Sequence, residues 1–96
     1  MAKPRAKSLT NDQMQAIARA LADPRRFAIL QQIAHKNTMP CTALEEQQII
    51  SPATISHHLK ELADAGLVGV QREGRCANLT LRRDIWKAYL GQLAKL

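Results

Sequence analysis

The sequence is poor in aromatic residues and in cysteine. Its 96 residues include one Phe, one Trp, one Tyr and two Cys. Because 46% of the residues are nonetheless hydrophobic, the core must be built from aliphatic side chains and alanine, as is common in small helical domains. A single disulfide is the most that two cysteines allow, and a reducing cytosol keeps such a pair as thiols, so a disulfide-stapled miniprotein is disfavoured.

Long apolar runs are also absent. No window approaches the ~20 apolar residues that cross a bilayer, and the start MAKPRAKSLT lacks the apolar core of a signal peptide. We therefore expect a cytoplasmic protein. The sequence also lacks a nucleotide-binding glycine loop, paired carboxylates in a plausible cleft and the spacing of a Ser, His and Asp triad. We expect neither an enzyme nor a bound cofactor.

Acidic residues are outnumbered by basic ones. Fourteen Lys and Arg against eight Asp and Glu give a formal charge of +6, which favours an anionic partner such as nucleic acid or a lipid surface. The length suits one compact domain with a modest core. Residues 1–9 carry Lys3, Arg5 and Lys7 around Pro4 with little to bury, so we predict a flexible basic tail there and one domain over residues 10–96.

The first half of the domain has the patterns of three helices. Thr10 and Gln13 have capping-box spacing at the start of the first, and Asp23 and Pro24 have the cap-then-proline pattern of the second. The face that each of these two helices buries is predicted from apolar spacing: Met14, Ile17, Ala18 and Leu21 in the first, and Phe27, Leu30, Ile33 and Ala34 in the second. HKNTMP is interpreted as a connection, CTALEEQ as a short helix with Leu44 inward, and QQII as a turn.

The stretch SPATISHHLKELADAGLV, residues 51–68, predicts a fourth helix. Ser51 and Pro52 repeat the cap-then-proline pattern, and Gly66 supplies a C-terminal stop. The predicted buried stripe consists of Ile55, Leu59, Leu62 and Ala63. At about 100° per residue, Ala53, His57 and Lys60 then point outward, with Thr54, Ser56 and Glu61 at the flanks and His58 half-buried beside the stripe.

The period changes from 3.6 to 2 after Leu67. LVGVQREGRCANLTL predicts a two-stranded β-hairpin with a basic tip at Arg72-Glu73-Gly74-Arg75. The last segment, RRDIWKAYLGQLAKL, returns to helical spacing and predicts a fifth helix. The expected fold class is therefore mainly α (α+β), a winged helix-turn-helix of five helices with a two-stranded wing.

Three segments in combination carry a family resemblance. ALADPRRFAIL, SPATISHHLKELADAGLV and REGRCANLTL together resemble the ArsR/SmtB family of bacterial winged-helix transcriptional repressors, over roughly residues 10–96. The resemblance implies a homodimer that binds operator DNA and releases it when an effector binds. The turn QQII departs from it, because the family commonly places a glycine there.

A polar-faced helix of this kind fits the DNA major groove, where exposed side chains meet base edges and neighbouring hydroxyls and cations hold phosphates. The predicted DNA-binding residues are Ser51, Ala53, Thr54, Ser56, His57, Lys60, Arg72 and Arg75. At the start of the second helix, Arg25 or Arg26 either touches phosphate or is solvated. Two alternatives stay open at this point. In the first, Ser51 is only a helix cap and the polar face of the helix is only solvated. In the second, the chain is a winged-helix module that binds protein or RNA without operator specificity.

Apolar residues exceed what one small core needs. We predict that the excess forms a homodimer interface from the first and last helices. Its predicted members are Met14, Ile17, Leu21, Ile85, Trp86, Tyr89, Leu93 and Leu96.

Metal sensing is often associated with this family, but neither of its common ligand sets is intact. Where members of that kind carry a Cys-x-Cys pair, this chain reads Pro40-Cys41-Thr42, and its final helix contains neither His nor Cys. We therefore expect no metal site. Cys41 and Cys76 as a thiol sensor form the alternative, and the effector stays unidentified.

Overall fold

The structure is a computed structural model and describes residues 8–36, 39–40, 51–73 and 76–96. In these ranges the chain forms four helices and three strands. In chain order they are α1 (Asn11–Leu21), α2 (Pro24–Ala34), β1 (Met39–Pro40), α3 (Pro52–Asp64), β2 (Val68–Glu73), β3 (Cys76–Leu81) and α4 (Arg83–Ala94). The predicted helix in CTALEEQ and the QQII turn lie outside the described residues. No helix in the described ranges is long and apolar enough to cross a membrane.

Local side-chain chemistry fixes where α1 and α2 begin. The Thr10 hydroxyl accepts a hydrogen bond from the Gln13 N–H at 3.1 Å, and the Gln13 side chain accepts one from the Thr10 N–H at 2.8 Å. This confirms the predicted capping box. Asp23 caps α2 by accepting from the backbone N–H groups of Arg25 and Arg26. These bonds, led by the one from Arg26, lower the pKa of the Asp23 carboxyl.

The end of α3 is set by a glycine, as predicted. Gly66 has a φ of +85°, in the left-handed region that glycine adopts without steric cost. The Gly66 N–H donates to the Ala63 carbonyl, and the Leu67 N–H donates to the Leu62 carbonyl. This pair of bonds is a Schellman motif, which ends the helix and directs the chain into β2.

The predicted hairpin is present, and a third strand joins it. Strands β2 and β3 pair antiparallel from Val68 opposite Leu81 to Glu73 opposite Cys76. Strand β1, within the segment interpreted as a connection, pairs with the other edge of β3, so the strand order is β1-β3-β2. The two-stranded prediction was thus incomplete, because a two-residue strand is too short to show a period. Arg72 lies within β2, one position before the strand's last residue.

The buried face of α2 differs from the prediction. Phe27 is 39% exposed, whereas Ile29 is fully buried with Leu30 and Ile33. The inward stripe therefore runs through positions 26, 29, 30 and 33, and its first member is Arg26, which is half-buried. A prediction based on apolar spacing alone cannot place an arginine inward. The predicted stripe was therefore displaced by about one residue from the observed one.

The core is aliphatic, as the composition predicted. It joins residues of every helix to the hairpin: Leu9, Ile17, Ala20, Ile29, Leu30, Ile33, Ile55, Leu62, Leu67, Val68, Leu79, Ile85, Ala88 and Tyr89. Leu9, assigned from sequence to the basic tail, is only 7% exposed. The packed domain therefore begins at least one residue earlier than the predicted boundary.

Candidate nucleic-acid interface

The N-terminus of α3 is organised by two hydroxyls. The Ser51 side chain accepts a hydrogen bond from the Thr54 N–H at 3.2 Å, and the Ser51 and Thr54 hydroxyls lie 2.9 Å apart. Ser51 is exposed and Thr54 is half-buried. The cap and the helix start thus form one polar corner, where the partial positive charge of the helix end favours an anion.

One face of α3 is open to solvent. Ala53, Ser56, His57 and Lys60 are all exposed, whereas Ile55 and Leu62 are buried. The predicted outward orientation of Ala53, His57 and Lys60 is confirmed, and Ser56, predicted at the flank, is exposed with them. They present a small side chain, a hydroxyl, an imidazole and an ammonium, a mixture able to meet both base edges and phosphates.

Lys60 is held along the helix by an acidic residue one turn later. Its ammonium donates to the Asp64 carboxylate at 2.8 Å. This hydrogen bond raises the pKa of Lys60, with a further contribution from the Asp64 charge. Both side chains are largely exposed, so the pair is a weak one that a phosphate can compete with.

The wing lies beside this face. Strands β2 and β3 form the far wall of a cleft of about 770 Å³ whose near wall is α3. Ser56 and Lys60 line it on the helix side, and Val70 and Arg72 line it on the β2 side. The structure therefore brings Arg72 to the same side of the molecule as the exposed residues of α3. Arg75 lies outside the described residues.

The inner side of α3 carries a polar contact that the sequence did not indicate. His58, predicted to be half-buried, is only 5% exposed. Its Nδ1 accepts a long hydrogen bond, 3.4 Å, from the Nε of Arg26. The prediction that Arg25 or Arg26 touches phosphate or is solvated stays open for Arg25, which is exposed, whereas Arg26 is half-buried and its guanidinium contacts His58 and the end of α1. The apolar stripe of α3 had indicated which histidine faces inward, but nothing in the sequence distinguished Arg25 from Arg26.

The described residues include one of the two cysteines predicted as a possible thiol sensor. Cys41 lies outside the described residues, and Cys76 is the first residue of β3. In the part of the chain that the structure describes, no three His, Cys, Asp or Glu side chains cluster as metal ligands.

The apolar surface of α4 differs from the predicted interface. Ile17 is fully buried, and Ile85 and Tyr89 are each 8% exposed. These three residues lie on the stripes of α1 and α4 that face the protomer's own core. They therefore offer little or no surface to a second protomer. A second stripe on α4, beside the buried one, leaves Leu90 45% and Leu93 40% exposed, and Leu96, beyond the end of α4, is fully exposed. Trp86, Met14 and Leu21 are partly buried against the core.

Comparisons with known proteins agree with this architecture. The sequence matches the model of a helix-turn-helix domain family over residues 21–71, just over half of the chain. YceK, an uncharacterised HTH-type transcriptional regulator of Bacillus subtilis, is 32% identical over 83 residues, which cover 84% of this chain and 83% of YceK. The arsenical resistance operon repressor of Staphylococcus xylosus is 36% identical over 62 residues, 65% of this chain and 59% of that repressor.

A solved structure extends the likeness to three dimensions. It is the homodimeric winged helix-turn-helix DNA-binding domain of a possible ArsR-family transcriptional regulator from Mycobacterium bovis. It superposes with a TM-score of 0.71 at 28% identity and covers 88% of this chain and 79% of that one. Fold and exposed helix together define a DNA-binding transcriptional regulator of the winged helix-turn-helix class. The chain belongs to the ArsR family of these regulators.

Proposed function

We propose that the protein is a repressor that binds a palindromic operator as a homodimer and releases it on a signal not yet identified. The observation that carries the proposal is the exposed face of α3, on which His57 is exposed and Ser56 and Lys60 line a cleft together with Arg72 of the wing. In this arrangement α3 enters the major groove as the recognition helix, and the wing arginine approaches the flanking phosphate backbone.

The dimeric part of the proposal is supported by the M. bovis domain, which is homodimeric, and by the exposed stripe on α4. A two-fold dimer sets two recognition helices about one DNA turn apart, ~34 Å, so its operator is an imperfect palindrome. We expect the bound protein in the cytoplasm, with the DNA.

Selection of fragments from the host's own genomic DNA tests the proposal. Fragments bound by the full chain are recovered through successive rounds, and affinity for the enriched sequence is compared with a shuffled duplex of equal composition. We expect an enriched palindrome whose affinity falls steeply with salt and exceeds that for the shuffled duplex by ~10³-fold or more. Failure to enrich any sequence contradicts operator recognition. The remaining alternative would be a module that binds protein or RNA, for which we expect no preference for one DNA sequence over a shuffled duplex.

A further inference from the structure

Arg26 connects three helices at one point. Its backbone N–H donates to the cap residue Asp23 at the start of α2. Its Nη1 donates to the carbonyl oxygens of Arg19 and Ala20 at the end of α1, at 3.4 and 3.5 Å. Its Nε donates to Nδ1 of His58 on α3. A planar guanidinium is suited to this role because its donors diverge in fixed directions.

His58 is adjacent in sequence to His57, and the two ring centroids lie 5.9 Å apart, yet the rings differ in burial. His57 is exposed on the outer side of α3, whereas His58 is buried against Arg26. We propose that Arg26 and His58 are positioning residues that fix the recognition helix for DNA, and that protonation of His58 breaks their link and weakens operator binding. This inference rests on the proposed function.

The hydrogen bond requires a neutral ring. Nδ1 accepts from Arg26, so the ring proton of this tautomer sits on Nε2. A proton on Nδ1 removes the acceptor and places two cations 3.4 Å apart in a partly buried site. Relief of that repulsion needs Arg26 or α3 to move, and Arg26 is tied to the end of α1 as well. Protonation of His58 therefore changes the orientation of α3 relative to the core.

Burial and the surrounding charges together favour the neutral ring. Burial is the main cause that lowers the pKa of His58, and the charges of Arg26, His57 and Arg25 lower it as well, while Asp23 raises it. Arg19 of α1 and Glu61 of α3 share a cleft with Arg26. Arg72 of β2 lies in the separate cleft between α3 and the wing.

The lowered pKa of His58 sets the sign of the pH effect. A buried histidine whose folded pKa lies below its unfolded value of about 6.5 binds its proton more readily when the link is broken. Its stabilising contribution is complete above about pH 6.5 and is lost as the pH falls from there towards the folded pKa.

Three variants of the full chain separate these effects. His58→Asn keeps an acceptor oxygen near the position of Nδ1 but does not titrate. His57→Asn makes the same change one residue earlier on the exposed face. Arg26→Lys keeps the charge but loses the diverging donors, so a phosphate contact would survive the change and a positioning role would not.

The measurement is the ratio of Kd on the shuffled duplex to Kd on the enriched genomic fragment, at about pH 7.5 and about pH 5.5. One linked proton changes affinity by at most about tenfold per pH unit. We expect the wild-type ratio to fall by at least about threefold at the lower pH, and the His58→Asn ratio to stay constant. The His57→Asn ratio should be lower than that of the wild type at both pH values, because His57 is a proposed base contact, and it should fall by the same factor between them. Arg26→Lys should lower the ratio at both pH values with little change on the shuffled duplex.

A second measurement needs no DNA and keeps the coupling separate from the proposed function. In an NMR titration of the free wild-type chain, the His58 ring should titrate below about 6.5, and the same midpoint should appear at the backbone amides of Ala20 and Arg26. If no genomic fragment is enriched, the repressor proposal fails. The titration still shows whether protonation of His58 is coupled to its contact with Arg26. Parallel pH profiles for the wild type and His58→Asn, or a His58 titration without any response at Ala20 and Arg26, would overturn the inference.

Discussion

Gln92 on α4 holds the backbone of Leu9, 83 residues away, with both ends of its amide. The side-chain oxygen accepts from the Leu9 N–H at 2.6 Å, and the side-chain nitrogen donates to the Leu9 carbonyl at 3.1 Å. Leu9 is buried, and it directly precedes the cap of α1. The contact thus fastens the start of the first helix to the last helix.

Removal of this amide should destabilise the domain. Gln92→Ala leaves both polar groups of a partly buried peptide without their partner, at a cost of about 1–3 kcal/mol in the free energy of unfolding. Urea denaturation monitored by circular dichroism measures it. The matched control is Gln15→Ala on the exposed side of α1, for which we expect a change within about 0.5 kcal/mol. Equal effects of the two substitutions would show that the Gln92 contact contributes nothing specific.

Local signals predicted most of the fold, and long-range polar contacts account for what was missed. The caps at Thr10, Asp23 and Ser51 depend on neighbours within three residues, so sequence spacing reveals them. The Gln92 contact joins opposite ends of the chain and has no periodic signature. The side-chain contacts of Arg26 were missed for the same reason, since its partners lie on other helices.

The candidate site was predictable in its exposed half. Helical periodicity alone oriented His57 and Lys60 outward, because the apolar stripe on the other side is clear. The same stripe could not show that His58 replaces an apolar residue within it. The pattern also could not show which apolar residues of α4 are buried and which are exposed, because two adjacent apolar stripes look alike until the core is packed.

Lys60 and Arg72 should act on DNA mainly through phosphates. Alanine at either position, or at Arg75, should weaken binding to the enriched operator and to shuffled DNA alike. Each should flatten the slope of log K against log salt by about one unit. Asp64→Asn is the converse change, since it frees the Lys60 ammonium from its partner and should tighten binding to both duplexes. Loss of operator preference with shuffled-DNA affinity unchanged would contradict a phosphate role.

His57 and Thr54 should contribute to base recognition. His57→Ala is expected to cost about 1–3 kcal/mol on the operator and to relax its consensus at the contacted base pair. The Thr54 hydroxyl lies against Ser51, so Thr54→Val, which removes the hydroxyl but keeps the shape, tests it. Preference profiles from a library of operator variants measure both changes. A profile identical to that of the wild type removes the substituted residue from the readout.

The exposed stripe on α4 should be the centre of the dimer interface. Tyr89, part of the interface predicted from sequence, is unsuitable for a test because a charge there would be buried in the protomer's own core. Leu90 and Leu93 are exposed and lie one turn apart on the outer stripe. Leu90→Asp with Leu93→Asp should therefore separate the protomers without unfolding them.

We expect this double variant to sediment as a monomer at micromolar concentration with the helix content of the wild type. Its affinity for an isolated half-site should be unchanged. Its affinity for the full palindrome should fall to nearly the half-site value, because the second recognition helix is no longer supplied at high effective concentration. Gly91→Asp places a charge at an exposed position of the same helix that points away from this stripe and where an added Cβ meets no neighbour, so it should leave both properties intact. A wild-type chain that sediments as a monomer, together with operator affinity unaffected by the double substitution, would exclude a dimer through α4.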